Sequence, residues 1–147
     1  APVLSYAYGD KKINICRKLE HYAHRFFIAA PLIIYALTYF LAPTGVSCFA
    51  DKSSPVFTIA VSGMRIYGLG FLFSGVNIFA AVRMMSYGKG YFSGLITFLR
   101  SFALLLLFLA VLPLRFGLTG VWIAVPAAEA LTLLVSIRFL RPIRKSV

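Results

Sequence analysis

The sequence predicts an all-α membrane protein with four transmembrane helices. Of its 147 residues, 61% are hydrophobic and only 13% are charged, and the mean hydropathy is +0.88, which lies outside the usual range of soluble domains. The apolar residues stand in long blocks instead of the alternating or one-sided patterns of soluble strands and helices. Because such segments are apolar on every side, they indicate helices that are solvated by lipid.

The first predicted span covers residues 26–42, a stretch of seventeen residues without a charge. As a helix it would be about 26 Å long, close to the hydrocarbon thickness of a bilayer. Pro31 lies inside this span, where neighbouring helices tolerate a kink. Pro43, Thr44 and Gly45 follow it and predict the end of the helix.

The second predicted span covers residues 55–82 and carries one charge, Arg65. It also contains several glycines, which predict close contacts with neighbouring helices. These glycines are Gly63, Gly68, Gly70 and Gly75.

The third and fourth predicted spans cover residues 92–113 and 118–140. The third carries Arg100, and the fourth carries Glu129 and a proline, Pro126. Since only residues 114–117 separate them, we expect the two helices to form an antiparallel hairpin.

The basic residues outside the spans predict the orientation. Counting Arg138 at the end of the fourth span with the tail, eleven of them precede the first span, separate the second from the third or follow the fourth, and only Lys52 and Arg115 lie in the other two loops. By the positive-inside rule both termini are cytoplasmic. The chain then divides into a cytoplasmic loop with an interfacial helix start (1–25), a four-helix membrane part (26–140) and a basic cytoplasmic tail (141–147). Cys16 and Cys48, both expected in loops, would face opposite sides and form no disulfide.

The sequence lacks the residue patterns of several function classes. The net charge of +11 would suit nucleic acid, but the basic residues border apolar blocks and match no nucleic-acid motif. His21 and His24 lie three residues apart on a predicted helix and could share one of its faces. Because no further metal ligands stand near them, we interpret them as an interfacial polar pair and not as a metal site. No set of nucleophile, base and metal ligands converges near one interface. We therefore expect no enzymatic activity, no metal and no cofactor.

Three charged residues fall well inside the predicted spans, away from their ends, and are the first candidates for function, because each costs about 2.5–3.5 kcal/mol to insert. Arg65 and Arg100 both lie at depths from which they reach Glu129, so either arginine would neutralise it. The group either sets helix packing or lies on the path of a substrate or ion. Asn77, one turn after Ser74, either lines the same path or bonds to a neighbouring helix.

The run from Leu112 to Glu129 contains Pro113, a short turn, Gly117-x-x-Gly120-x-Trp122 and then Pro126-x-x-Glu129. This order resembles the end of the multidrug and toxic compound extrusion (MATE) family. Residues 5–10, Ser-Tyr-Ala-Tyr-Gly-Asp, are similar to the family's Ser-Tyr-Asn-Tyr-Gly-Ala loop after the eighth helix, apart from Ala7 and Asp10. Residues 64–78 and 86–90 resemble the tenth helix and the segment that closes it, with Ser86 near a common Gln.

The resemblance implies helices nine to twelve of a twelve-helix, two-lobed fold, with a stub of helix eight at the start. We expect the chain to begin inside a domain and to partner an N-terminal lobe of the same protein. The implied function is secondary active efflux of organic cations or drugs against Na⁺ or H⁺ across a bacterial inner membrane. The expected partners are membrane lipid and small organic substrates, and no nucleic acid. Because the second span holds no Asp or Glu, coupling would rely on other helices.

Two alternatives remain open beside multidrug efflux. A lipid-linked oligosaccharide flippase of the same superfamily would also use arginines in its cavity, as Arg65 and Arg100 allow. The other alternative is a non-catalytic membrane subunit or an inactive fragment.

Overall fold

The computed structural model describes residues 2–10 and 12–140, so the predicted basic tail (141–147) and Lys11 lie outside the described residues. All regular elements in the described part are helical, which confirms the predicted fold class. They are α1 (Pro2–Gly9), α2 (Ile13–Ser47), α3 (Pro55–Ser86), α4 (Gly90–Phe98), a π-helical turn (Leu99–Ala103) and α5 (Leu104–Leu140).

Three helical stretches are long and apolar enough to cross a membrane: Ile13–Ser47, Pro55–Ser86 and Gly90–Leu140. The third stretch is two spans, because its backbone leaves the helical region at Gly117, with φ 55° and ψ −137°. A positive φ is readily adopted only by glycine. The chain reverses there, since the Phe92 and Phe139 rings lie 5.0 Å apart, whereas an unbroken helix would separate them by about 70 Å. The predicted hairpin and the four spanning helices are confirmed.

Helix α3 is the centre of the molecule. It packs against both α2 and α5, whereas within the described residues the backbones of α2 and α5 do not approach each other closely. The glycines of α3 make these approaches close, as predicted. Gly63 lies under the indole of Trp122, and Gly75 lies against the Phe27 carbonyl and the Pro31 ring. Since Pro31 has no N–H, that carbonyl lacks its helical partner, and Gly75 lets α3 cover it.

The helix stop predicted at Pro43 is wrong, because α2 continues to Ser47. A proline removes one N–H donor without ending a helix whose carbonyls find other donors. Pro43 leaves the carbonyl of Tyr39, four residues earlier, without its helical donor, and Arg65 Nε of α3 donates to that carbonyl at 3.2 Å.

The first predicted span also begins earlier than expected. Residues 18–25, expected as an interfacial helix start, belong to the single helix α2 of 35 residues, about 52 Å long. Cys16 is therefore in a helix and not in a loop. Cys16 and Cys48 are free thiols, and the length of α2 keeps them too far apart for a disulfide.

Candidate functional site

Glu129 forms a buried ion pair with Arg100. The Arg100 Nη2 lies 2.7 Å from Glu129 Oε1, and Arg100 Nε donates to the same oxygen at 3.0 Å. The side chains are only 20% and 8% exposed, respectively. Of the two arginines that the sequence offered, Arg100 is the one that neutralises this acid.

Asn77 of α3 completes this group. Its Nδ2 donates to Glu129 Oε2 at 2.7 Å and to the Glu129 backbone carbonyl at 2.9 Å. Asn77 is fully buried, and its Oδ1 has no hydrogen-bond partner among the described residues. We call Asn77, Arg100 and Glu129 the intramembrane cluster. It joins α3 to both limbs of the hairpin.

Arg100 projects from the π-helical turn Leu99–Ala103. Such a turn holds one extra residue compared with α-helical geometry and is frequent at functional sites. The insertion shifts the direction of every side chain that follows it by about a quarter turn. Arg100 thus sits at the only π-helical segment in the described part of the chain.

Arg65 does not join the intramembrane cluster. Its Nε donates to the Tyr39 backbone carbonyl at 3.2 Å, and its guanidinium lies 4.5 Å from the centre of the Tyr39 ring. It stands twelve residues, or about 18 Å along α3, from Asn77. The alternative ion pair between Arg65 and Glu129 is therefore not formed.

A second charged group, which sequence reasoning missed, lies at one end of the bundle. Arg83 Nε donates to Glu20 Oε1, the Tyr87 hydroxyl donates to the same oxygen at 2.8 Å, and Arg83 Nη1 donates to the Phe139 carbonyl at 2.9 Å. We call Glu20, Arg83 and Tyr87 the end cluster. It joins α2, α3 and α5, and the Tyr8 ring of α1 packs edge-on against Tyr87 at 4.6 Å.

The sequence contained one signal for the end cluster. Glu20 is the sole acid within residues 11–25, which include five basic residues. Arg83 was expected in a loop, although α3 extends to Ser86. Tyr87, the residue after the end of α3, gave no sign in the sequence that its hydroxyl would donate to this acid. Burial, together with the hydrogen bond to the Glu20 carboxylate, raises the pKa of the Tyr87 phenol above its ordinary value.

An open cavity of about 280 Å³ lies beside the end cluster. It is lined by Arg17, Glu20, His21, His24, Phe79, Arg83 and Leu140. The two histidines do share a helix face there, and the His24 ring packs edge-on against Phe79 at 5.5 Å. Among residues 2–10 and 12–140, no three His, Cys, Asp or Glu side chains group closely enough to hold a metal ion.

Comparisons with known proteins agree with the fold. No family model and no curated protein matches the sequence. A solved structure, described as the outward-facing conformation of a multidrug resistance MATE family transporter of the MOP superfamily, matches 93% of this chain with a TM-score of 0.80 at 20% sequence identity. This chain covers 32% of that transporter. The resemblance seen in the sequence is thus confirmed at the level of fold: the chain is an integral membrane protein with the fold of about one third of a MATE transporter.

Proposed function

We propose that this chain is the closing four-helix part of a secondary active transporter that exports organic cations or drugs in exchange for Na⁺ or H⁺. The observation that carries the proposal is the match of 93% of the chain to a multidrug resistance transporter fold. The remaining helices would come from an N-terminal lobe of the same protein. The transporter would lie in a bacterial inner membrane with both ends of this chain cytoplasmic, in contact with lipid and with small organic substrates, and it would be no enzyme.

The intramembrane cluster supports a role in transport. Glu129 is an acid held in a spanning hairpin, where a charge is costly enough to be a functional candidate by default. Asn77 and Arg100 each donate a hydrogen bond to its carboxylate, and Arg100 Nη2 adds an ion-pair contact. A proton or a cation that reaches Glu129 competes with Arg100 for the same oxygens. The helix contacts between α3 and the hairpin would then depend on what is bound.

The test is Glu129→Gln in the intact gene, expressed in cells that lack their own drug pumps. Efflux of ethidium is followed by fluorescence, with Na⁺ and pH gradients imposed separately. We expect the variant to lose efflux while its membrane level stays normal, because Gln keeps the shape but not the charge. Asp10→Asn, which removes an acid outside the spans, is the matched control. Normal efflux by Glu129→Gln would remove this residue from the mechanism.

A flippase for lipid-linked oligosaccharides is the second candidate, and Arg65 is the observation that favours it. Arg100 is neutralised by Glu129, whereas Arg65 has no carboxylate partner among the described residues. A membrane arginine without an acid suits an anionic group such as a lipid diphosphate. Arg65→Gln separates the two functions: it would abolish surface display of the oligosaccharide in a flippase and would leave ethidium efflux unchanged in a drug exporter.

A further inference from the structure

We infer that the cavity beside the end cluster binds the phosphodiester group of an anionic phospholipid. The site is distinct from the intramembrane cluster and does not depend on which substrate the protein transports. It would fix one end of the bundle to the membrane surface through the headgroup of a single lipid.

The end of the molecule that carries the cavity has the composition of a membrane surface. Helix α2 is about 52 Å long, which exceeds the roughly 30 Å of hydrocarbon, so its ends reach the headgroups. Around its start stand exposed basic residues and exposed tyrosines, as is typical of an interface facing anionic lipid. They are Lys12, Arg17, Lys18, Arg25, Lys89, Tyr22 and Tyr91.

The two charged side chains at the floor of the cavity, Glu20 and Arg83, neutralise each other. Glu20 Oε1 already accepts hydrogen bonds from Arg83 and Tyr87. The acid is therefore neutralised by Arg83 and offers little repulsion to an anion above it. Binding an anion depends on the side chains of the rim.

The rim is formed by Arg17, His21 and His24, which lie on one face of α2 at helical spacing. All three are exposed. Arg17 has no hydrogen bond or ion pair to any described residue, and the two histidines make only ring contacts. A guanidinium matches two oxygens of a phosphate, and each imidazole adds an N–H donor. The rim is therefore an unfilled set of donors for one phosphate group.

The surroundings favour a lipid phosphate over a free one. The cavity holds about 280 Å³, against about 30 Å³ for a water molecule in the liquid, which leaves room for the glycerol beside the phosphate. The cavity is lined by residues of α2 and by Leu140 of α5, so a lipid seated in it would lie between these two helices. One turn further on, exposed Ile28 of α2 and Ile137 of α5 stand on the helix faces that carry His24 and Leu140. Acyl chains would lie along these residues.

The experiment measures binding of phosphatidylglycerol with a fluorescent acyl chain to the purified protein in an uncharged detergent. The test variant is Arg17→Gln. The matched control is Arg25→Gln, which removes the same charge two turns further along the same helix on a face that does not line the cavity. We expect Arg17→Gln to raise the Kd about fivefold, and Arg25→Gln to raise it less than about twofold. His21→Gln combined with His24→Gln should also weaken binding. Melting temperatures of all variants confirm that they are folded.

Competition identifies the recognised group. Unlabelled phosphatidylglycerol should displace the probe, whereas phosphatidylcholine, which carries a compensating positive charge, and inorganic phosphate should displace it poorly. An equal loss of affinity in Arg17→Gln and Arg25→Gln would mean general surface charge and would overturn the proposal. Displacement by phosphatidylcholine at the same concentration would overturn headgroup recognition, and displacement by inorganic phosphate alone would overturn a lipid site.

Discussion

Two buried ion pairs join the helices of the bundle next to α3, and they differ in their surroundings more than in their chemistry. In the intramembrane cluster, Glu129 is 8% exposed and takes its hydrogen bonds from Arg100 and Asn77. In the end cluster, Glu20 is 21% exposed and is paired with Arg83 beside an open cavity. Along α3, Asn77 and Arg83 are six residues, or about 9 Å, apart.

Because of this distance, the two clusters differ in which groups can hydrogen-bond to a charged side chain that has lost its ion-pair partner. At the end of the bundle, water and lipid headgroups can hydrogen-bond to a group that has lost its ion pair. In the hydrocarbon region no such partner exists, so an unpaired charge bears its full desolvation cost. The same pair of residue types should therefore stabilise the fold by different amounts at the two positions.

The largest effect is expected for Glu129→Ala. The change leaves the Arg100 charge in the membrane without an acid, so the free energy of unfolding should fall by about 5 kcal/mol, the upper end for breaking a buried pair. Unfolding by sodium dodecyl sulfate in mixed micelles, followed by circular dichroism, measures this loss.

The control for Glu129→Ala is the double variant Arg100→Leu with Glu129→Leu. It removes both charges, and Asn77 keeps its hydrogen bond to the backbone carbonyl of residue 129. Because an apolar pair of similar volume often replaces a buried ion pair without loss, most of the stability should return. A double variant as unstable as Glu129→Ala would show that the charge left unpaired is not the cause.

Parts of the intramembrane cluster were predictable from sequence because charges inside apolar blocks are rare enough to stand out. Glu129 had two possible partners at suitable depth, and sequence could not choose between them, because the choice depends on which faces of α3 and the hairpin meet. Arg65 has a backbone carbonyl and a ring as partners, which no pattern of charged residues indicates. The end of α2 had a similar limit at Pro43, because the donor that replaces the missing proline N–H at the Tyr39 carbonyl is Arg65 of another helix.

The end cluster escaped prediction for a different reason. Glu20 was expected in the segment before the first span and Arg83 in the loop after the second, where charges are ordinary and carry little information. Their pairing joins residues 63 positions apart and depends on α2 and α3 extending beyond the apolar blocks. The fold was easier, because long apolar blocks and the four-residue gap that ends at Gly117 determine the number of spans and the hairpin.

A smaller effect is expected for Glu20→Ala. Arg83 keeps its hydrogen bond to the Phe139 carbonyl and can draw on water from the cavity. We therefore expect a loss of about 3 kcal/mol, the lower end for a broken buried pair. The free energy of unfolding should also depend on salt more in the wild type than in this variant. A loss as large as that of Glu129→Ala would contradict the distinction between the two clusters.

Tyr87→Phe removes only one hydrogen bond of the end cluster and keeps the aromatic contact with Tyr8. The expected loss is about 1.5 kcal/mol, the lower end for a hydrogen bond to a charged group. Because the pKa of the phenol is raised in the folded state, its contribution is complete at pH values below the ordinary value near 10. It is lost as the pH rises through the folded-state value. The stability difference between wild type and variant should thus be constant from about pH 6 to pH 9.

The smallest effect is expected at a third ion pair, between Lys12 and Asp10, whose nitrogen and oxygen lie 3.0 Å apart. Its side chains are 55% and 38% exposed, so water already solvates both charges. Asp10→Asn should change the free energy of unfolding by about 0.5 kcal/mol or less. Since its N···O distance is only 0.3 Å longer than the 2.7 Å of the pair between Arg100 and Glu129, its small contribution would show that burial, more than contact distance, sets the order of the three pairs. A loss comparable to that of Glu20→Ala would contradict that order, because exposure would then no longer predict the strength of an ion pair in this bundle.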